Sequence, residues 1–386
     1  MTADADPARV VQGNKGAKFH WRLPYSGETS VDTWAHKFNT EDGMPDLAAQ
    51  VSFCKRAEDA GIDSLLTDFG YGKPDPMLLA AILGRATGKI KFILAYRSGL
   101  FSPTMFVQQL NTLSALIDGR LSLNVVAGYS PGEQRAYGDF LSHDERYERT
   151  EEFLAICRAF WRRDEAVNFS GKHYSIEKGA LKTRYVSSDR AFPEMFIGGG
   201  SVQAQNLAVS QGTCWMRLPD APEKIQESVA EVLQSGVEVG LRFAVIARPT
   251  REEALRAAYA MTDGMDTARE FVRTSVGKMD SVSFKAAFQQ AETGTEWLTP
   301  CLWTGATRAY GPAAAALVGS PEELASAIIE YERLGVSQFI ISGWPKLDQM
   351  VFFGEAVLPI IRRMERETTL PFLANAPASR SRVWDP

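Results

Sequence analysis

Along the chain, short apolar runs alternate with longer segments whose apolar residues recur at helical spacing. The runs predict strands at Lys18–Leu23 (closed by Pro24), Ser64–Thr67, Ile90–Tyr96, Leu121–Val126, Glu194–Ile197, Thr213–Met216, Leu241–Ile246 and Gln338–Ser342. Between them, helices are expected at Asp46–Ala60 with Gly61 as its stop, Pro76–Thr87 with Gly88 as its stop, and Pro103–Ile117. Further helices follow Ser201 and cover Pro222–Ser235, Arg251–Met261, Pro321–Leu334 and Gln349–Arg366. The rhythm breaks twice. Residues 128–190 carry a loop (Gly128–Leu141), a long helix (Asp144–Trp161) and a small hairpin (Val167–Tyr174), and residues 262–300 read as mixed polar helical pieces. Strand–helix alternation means parallel strands with crossover helices. The fold class is α/β, and the eight strands predict a TIM (β/α)8 barrel with insertions, a single domain over 17–370 with tails at 1–16 and 374–386. A doubly wound open sheet is the alternative. The 262–300 insertion is long for a barrel connection and is expected to form a mobile lid.

A barrel puts its chemistry at the C-terminal ends of its strands. The segments that attract attention all follow strands: Pro24–Glu28, Asp68–Pro74, Arg97–Pro103, Gly128–Arg135, Gly198–Ser201 and Gly343–Lys346. In Phe196-Ile197-Gly198-Gly199-Gly200-Ser201 a strand passes through three glycines into a helix start. Glycines let backbone approach a phosphate, the first N–H groups of the helix point at it, and Ser201 can cap the helix or donate its hydroxyl. A plain loop ending a strand has the same glycines, so the motif alone does not decide. Asn124 sits in an otherwise apolar strand, where an unpaired amide costs about 1–3 kcal/mol. A ring with polar edges, such as a flavin, would pair it, and so would a neighbouring loop. Tyr147, in the first turn of the inserted helix, could cover a ligand or belong to a capped, salt-bridged surface helix.

Composition narrows the choices. The chain has 386 residues, 45% hydrophobic and 23% charged, as in an ordinary globular protein. A net charge of −5 argues against a nucleic-acid partner. No apolar run reaches the length of a membrane span, and the first residues lack a signal-peptide core. Four well-separated cysteines (Cys54, Cys157, Cys214, Cys301) suit reduced thiols in a cytoplasmic protein. The four histidines (His20, His36, His143, His173) have no metal-ligand spacing and are expected to make local hydrogen bonds. There is no nucleophile elbow and no P-loop lysine. A barrel with a phosphate site and no obvious nucleophile or metal points to a phosphorylated cofactor.

The segments Asp118-Gly119-Arg120-Leu121-Ser122-Leu123-Asn124-Val125-Val126, His143-Asp144-Glu145-Arg146-Tyr147 and Phe196–Ser201 resemble those of the bacterial-luciferase-like flavin monooxygenases. Within that superfamily they look closest to the two-component alkanesulfonate monooxygenases. Phe92–Gly99, Thr274–Gly277, Ala316–Gly319 and Phe339–Gly343 extend the match over nearly the whole chain. The resemblance implies a luciferase-like barrel that receives reduced FMN (FMNH2) from a separate NAD(P)H:flavin reductase and uses O2 to oxygenate a small polar or anionic substrate, an organosulfur compound among the candidates. It implies that Asn124, Gly128 and Tyr147 lie near the flavin and that Gly199, Gly200 and Ser201 hold its phosphate. Asp68, Phe69 and Ala95 are expected beside the ring. A homodimer or homotetramer is the expected assembly. A deazaflavin (F420)-dependent oxidoreductase and a non-catalytic flavin-binding protein are the alternatives.

The substrate positions depart from the sulfonate pattern. Arg242 stands in strand seven, but Ala244 occupies the place of a histidine two residues on. Tyr310 replaces an arginine, with Arg308 two residues away; Trp344 and Lys346 replace a tyrosine and a histidine; Ser26 replaces another histidine. Arg242, Arg308, Tyr310, Trp344 and Lys346 are therefore the catalytic candidates, with Arg22 and Arg97 as further cations at strand ends. Any one of these arginines could equally sit in a structural ion pair. The expected substrate has one anionic group and an apolar or unsaturated body.

Overall fold

A computed structural model describes residues 16–24, 46–162 and 165–374. The expected tails, apart from Gly16 and Ala374, lie outside the described residues, as do Ser26, Glu28 and His36. The strands are β1 (Lys18–Arg22), β2 (Ser64–Thr67), β3 (Lys91–Tyr96), β4 (Leu121–Val125), β5 (Val167–Ser170), β6 (Ser175–Gly179), β7 (Met195–Gly198), β8 (Cys214–Arg217), β9 (Glu238–Ala247), β10 (Leu302–Trp303), β11 (Ala316–Gly319) and β12 (Val336–Gly343). Parallel pairing runs β1-β2-β3-β4-β7-β8-β9-β12 and returns from β12 to β1, so the sheet closes. Closure excludes the open doubly wound sheet. All eight expected barrel strands are present.

The helices form where the sequence punctuates them. Asp46, Asp75, Ser102, Ser201 and Ser320 each cap a helix by accepting a backbone N–H, and Ser320 with Glu323 completes a capping box. No helix among the described residues is long and apolar enough to cross a membrane. Several expectations need correction. The loop over 128–141 contains a helix, Pro131–Ala136, capped by Ser130. The hairpin in the first insertion runs on to Gly179. The second insertion forms two helices, Asp266–Gly277 and Val282–Thr293. The last helical stretch starts earlier, at Lys346, and passes through a π turn at Phe353–Val357. A further pair of strands was not foreseen. β11 joins the end of β9 in parallel, and β10 pairs antiparallel with β11.

Side chains alternate across each strand, so every second residue points into the barrel. These inward residues form three layers. The middle one is apolar, with Leu66, Ile93, Phe196, Cys214 and Ile340 in contact. The layer at the strand starts is polar. His20 is buried between Ser64 Oγ (3.0 Å) and Gln338 Oε1 (2.8 Å), and Gln338 Nε2 donates to Glu238. Burial lowers the His20 pKa, so the ring is neutral, with Nε2–H donating to Gln338 and Nδ1 accepting from Ser64. Glu194 takes ion pairs from Lys18 (2.9 Å) and Arg190 (3.0 Å) and a hydrogen bond from Ser122 Oγ. The third layer, at the strand ends, holds the candidate site.

Burial alone would raise the Glu194 carboxyl, but the charges of Lys18, Arg190 and Lys91 reverse this and bring it from 4.5 to about 2. A depressed carboxylate contributes stability that is present above the unfolded pKa and lost as pH falls towards the folded one. Glu194→Gln should therefore destabilise the fold by about 3 kcal/mol at pH 7. The deficit should shrink between pH 4.5 and about 2. Urea unfolding at pH 7 and pH 3 checks this, and an equal deficit at both would show that the charge is not responsible.

Candidate active site

β7 delivers Gly198 to the rim, and the chain turns through Gly199 and Gly200 to Ser201, the N-cap of the helix Val202–Gln211. Gly199 has φ 142°, a conformation L side chains rarely adopt, and a Cβ there would meet Ala204 Cβ at 2.6 Å and the Tyr147 hydroxyl at 3.2 Å. A Cβ on Gly200 would come within 3.0 Å of Ser283 Cβ. Trp215 Nε1 fixes the turn by donating to Gly199 O (2.8 Å). Tyr147 bonds the Ser201 side chain, and burial raises its pKa, so its hydroxyl stays protonated. The result is a concave, side-chain-free cradle at a helix N-terminus with two hydroxyls beside it, which suits a phosphate.

The cradle opens into a cavity of about 910 Å³ of empty volume. Asn124, Gly128, Tyr147 and Gly198–Ser201 line it, with Leu66 and Ile340 from the apolar layer and Arg242 from β9. A second cavity, of about 1270 Å³, is lined by Arg22, Asp68, Phe69, Lys73, Ala95, Arg97, Tyr310 and Trp344 among others. Asn124, Val126, Tyr129, Arg242 and Phe284 border both, so the two are compartments of one site. Asp68, Phe69 and Ala95 thus lie in the second compartment, not with the cradle. Asp68 Oδ2 accepts from Arg22 Nε (2.6 Å) and Lys73 Nζ (3.0 Å). Burial works against the Asp68 charge, but Arg22, Lys73 and Arg242 keep its carboxyl far below the usual range. Burial pushes the Lys73 ammonium down, with Asp68 opposing. Arg97 is buried, donates Nη2 to Glu133 Oε2 (2.6 Å), and lies over the Phe69 ring (5.1 Å).

Tyr310 and Trp344 stand side by side, ring centroids 5.0 Å apart, and Tyr310 donates to Met261 O (3.1 Å). Both pack against the buried apolar cluster that contains Ala244, which is wholly buried and lines neither compartment. Arg308 is also outside both linings and pairs with Glu296 (2.8 Å). Lys346 heads the helix after β12 and lines neither compartment. Of the five catalytic candidates, Arg242, Tyr310 and Trp344 are therefore brought together; Arg308 and Lys346 are not. Lys73 and Tyr129 were missed. Each lies one or two turns past a strand end, in segments already marked as functional loops, and a polar residue after a barrel strand was the available signal.

The second insertion roofs the site. Ser281, Val282, Ser283 and Phe284 face the cradle, while Phe271, Val272, Ser275, Val276 and Met279 face the second compartment. Arg146 latches it to the barrel: its guanidinium bonds Ala127 O (3.0 Å) and Leu141 O (2.9 Å) and pairs with Asp280. Asp280 N donates to Tyr129 O (3.0 Å), and the Tyr129 and Phe284 rings meet at 5.1 Å.

The luciferase-like monooxygenase family model matches residues 20–338. Solved structures with the same fold include EDTA monooxygenase from Chelativorans sp. BNC1, at 20% identity and TM-score 0.70, covering 91% of this chain and 94% of that one. A riboflavin lyase solved with modified FMN and riboflavin matches at 19% identity and TM-score 0.68, covering 91% and 92%. An F420-dependent secondary alcohol dehydrogenase matches at 18% identity and TM-score 0.63, covering 90% and 99%. The chain belongs to the luciferase-like monooxygenase family.

Removing Asp280 leaves the buried Arg146 guanidinium short of its ion pair and frees the roof at one corner. Asp280→Ala should raise amide exchange in 281–293 by about tenfold, equivalent to ~1.4 kcal/mol of local stability. The barrel strands should exchange as before. Exchange mass spectrometry reads this directly; unaltered protection of 281–293 would show that the latch is incidental.

Proposed function

We propose that the chain is the oxygenase half of a two-component system, taking FMNH2 from a separate NAD(P)H:flavin reductase and using O2 to oxygenate a small anionic organic molecule. The observation that carries the reading is the glycine cradle at Gly198–Ser201, open to a compartment that continues into a second one walled by cations and aromatics. With no side chain on Gly199 or Gly200, bare backbone and the start of the helix Val202–Gln211 are open to a phosphate. Ser201 and Tyr147 would donate hydroxyls to it. Asn124 would meet the polar edge of the ring, with Leu66 and Ile340 beneath it and Tyr129 and Phe284 screening it from solvent. Reduced FMN, when bound, supplies two electrons to O2 and leaves one oxygen atom for the substrate and one for water. Exclusion of water is then the protein's task, and the roof of Phe271, Val272, Val276 and Phe284 is apolar enough for it. As a mobile lid, that roof would open for substrate and close for turnover.

Arg242 borders both compartments, so it would hold the substrate's anionic group against the cofactor. Tyr310 and Trp344 would wall the apolar body. The alkanesulfonate branch is the nearest reading of the motifs, but the pocket lacks that branch's histidines, and an organosulfur compound of another kind, or a carboxylate, suits the cations equally.

Gly200→Asp places a carboxylate where the phosphate would lie. It should weaken FMNH2 binding at least tenfold, about 1.4 kcal/mol, in an anaerobic titration, with circular dichroism confirming the fold. Parent-like binding would refute the phosphate assignment. Oxygen-electrode assays with FMNH2 separate the alternatives: a deazaflavin enzyme would transfer hydride without O2 uptake, and a binding protein would hold flavin without turnover.

A further inference from the structure

The strand order of the barrel places β3 and β9 opposite one another, four strands apart in either direction. Each carries an arginine to the second compartment: Arg97 directly after β3, and Arg242 from within β9. Both have donors to spare. Arg97 is only 4% exposed, yet Nε and Nη1 are buried without a hydrogen-bond partner; Glu133 satisfies Nη2 alone. Arg242 makes no hydrogen bond or ion pair among the described residues, although it faces both compartments. An unmet buried donor on a charged group is costly, and guanidinium groups are well matched to carboxylates.

Arg97 is also held in place. Its guanidinium lies 5.1 Å from the Phe69 centroid and 5.8 Å from that of Tyr137, so its position is fixed before any ligand arrives. Between the two arginines the walls are aromatic: Phe69, Tyr129, Tyr310 and Trp344. We propose that this compartment takes a dianionic substrate with a flat or apolar body, one anionic group on Arg242 beside the cofactor compartment and the other on Arg97 across the mouth of the barrel. The single anionic group expected from the sequence becomes two because Arg97 is buried in the wall with unpaired donors, which its position after a strand did not reveal. The inference rests on the proposed function only for calling the ligand a substrate; the binding itself needs no flavin.

The full-length chain is titrated calorimetrically with benzoate and with benzene-1,4-dicarboxylate, without cofactor and at low salt. The dianion should bind at least tenfold more tightly, and the advantage should fall steeply with added salt. Arg242→Gln, which breaks no internal hydrogen bond, should reduce the preference to less than threefold, with a circular dichroism spectrum like the parent's. Arg97→Gln should do the same, and Arg97→Lys should restore part of it. Should Arg97→Gln fail to fold, the double change Arg97→Met with Glu133→Gln, which removes the ion pair as a unit, gives the same readout. Equal affinity for the two probes, or a preference that survives loss of either arginine, would overturn the proposal. Loss of FMNH2 binding with an intact dianion preference would instead count against the proposed function alone.

Discussion

The closure of the sheet, sealed where β8 meets β9 and where β12 meets β1, governs everything at the site. Closing eight parallel strands forces alternate residues inward and stacks them in layers. One continuous apolar layer, Leu66, Ile93, Phe196, Cys214 and Ile340, divides the interior. Charges on either side of it belong to separate systems. On the strand-start side the polar groups are mutually satisfied: His20 with Ser64 and Gln338, and Glu194 with Lys18, Arg190 and Ser122. On the strand-end side they are satisfied only in part, as Arg97 and Arg242 show. A protein tolerates unmet donors where a ligand will meet them.

The roof covers the rim of the barrel over both compartments. Its two helices supply apolar side chains to the second compartment and small ones, Ser281 and Ser283, above the glycines. Arg146 ties the arrangement to the barrel through carbonyls of the loop after β4 and through Asp280. The same loop contributes Gly128 and Tyr129 to the site. A shift of the roof is therefore felt at the cradle and at the border between the compartments together.

Much of this was legible in the sequence. Buried parallel strands are near-continuous apolar runs bounded by Gly and Pro, and all eight were found within a few residues. The glycine cradle was legible because its geometry admits no other residue type at Gly199. β10 and β11 escaped notice because one has two residues and the other looks like a helix lead-in ending at Gly319 and Ser320. Arg308 and Arg242 could not be told apart by sequence: the residues around each leave its direction open, and only the fold turns one to Glu296 and the other into the cavity. Ala244 shows the limit of a position-by-position comparison. It shares a strand face with Arg242, but Tyr310 and Trp344 pack over the cluster to which it belongs, so the pocket wall is made by residues distant in sequence.

These two kinds of legibility have one physical cause. A phosphate held by backbone N–H groups needs bare backbone, and no set of side chains substitutes for it. An anionic substrate group needs only a cation somewhere on the rim, and eight strand ends offer many places to put one. Here Arg22, Lys73, Arg97 and Arg242 come from or follow four different strands, and Asp68 and Glu133 fix the partnering of three of them. The cations of this compartment therefore sit on several strands, and Tyr310 and Trp344 wall it beside the cluster of Ala244 as an aromatic pair. The glycine turn is constrained by shape and the cationic compartment by electrostatic balance, and balance can be met in more than one way.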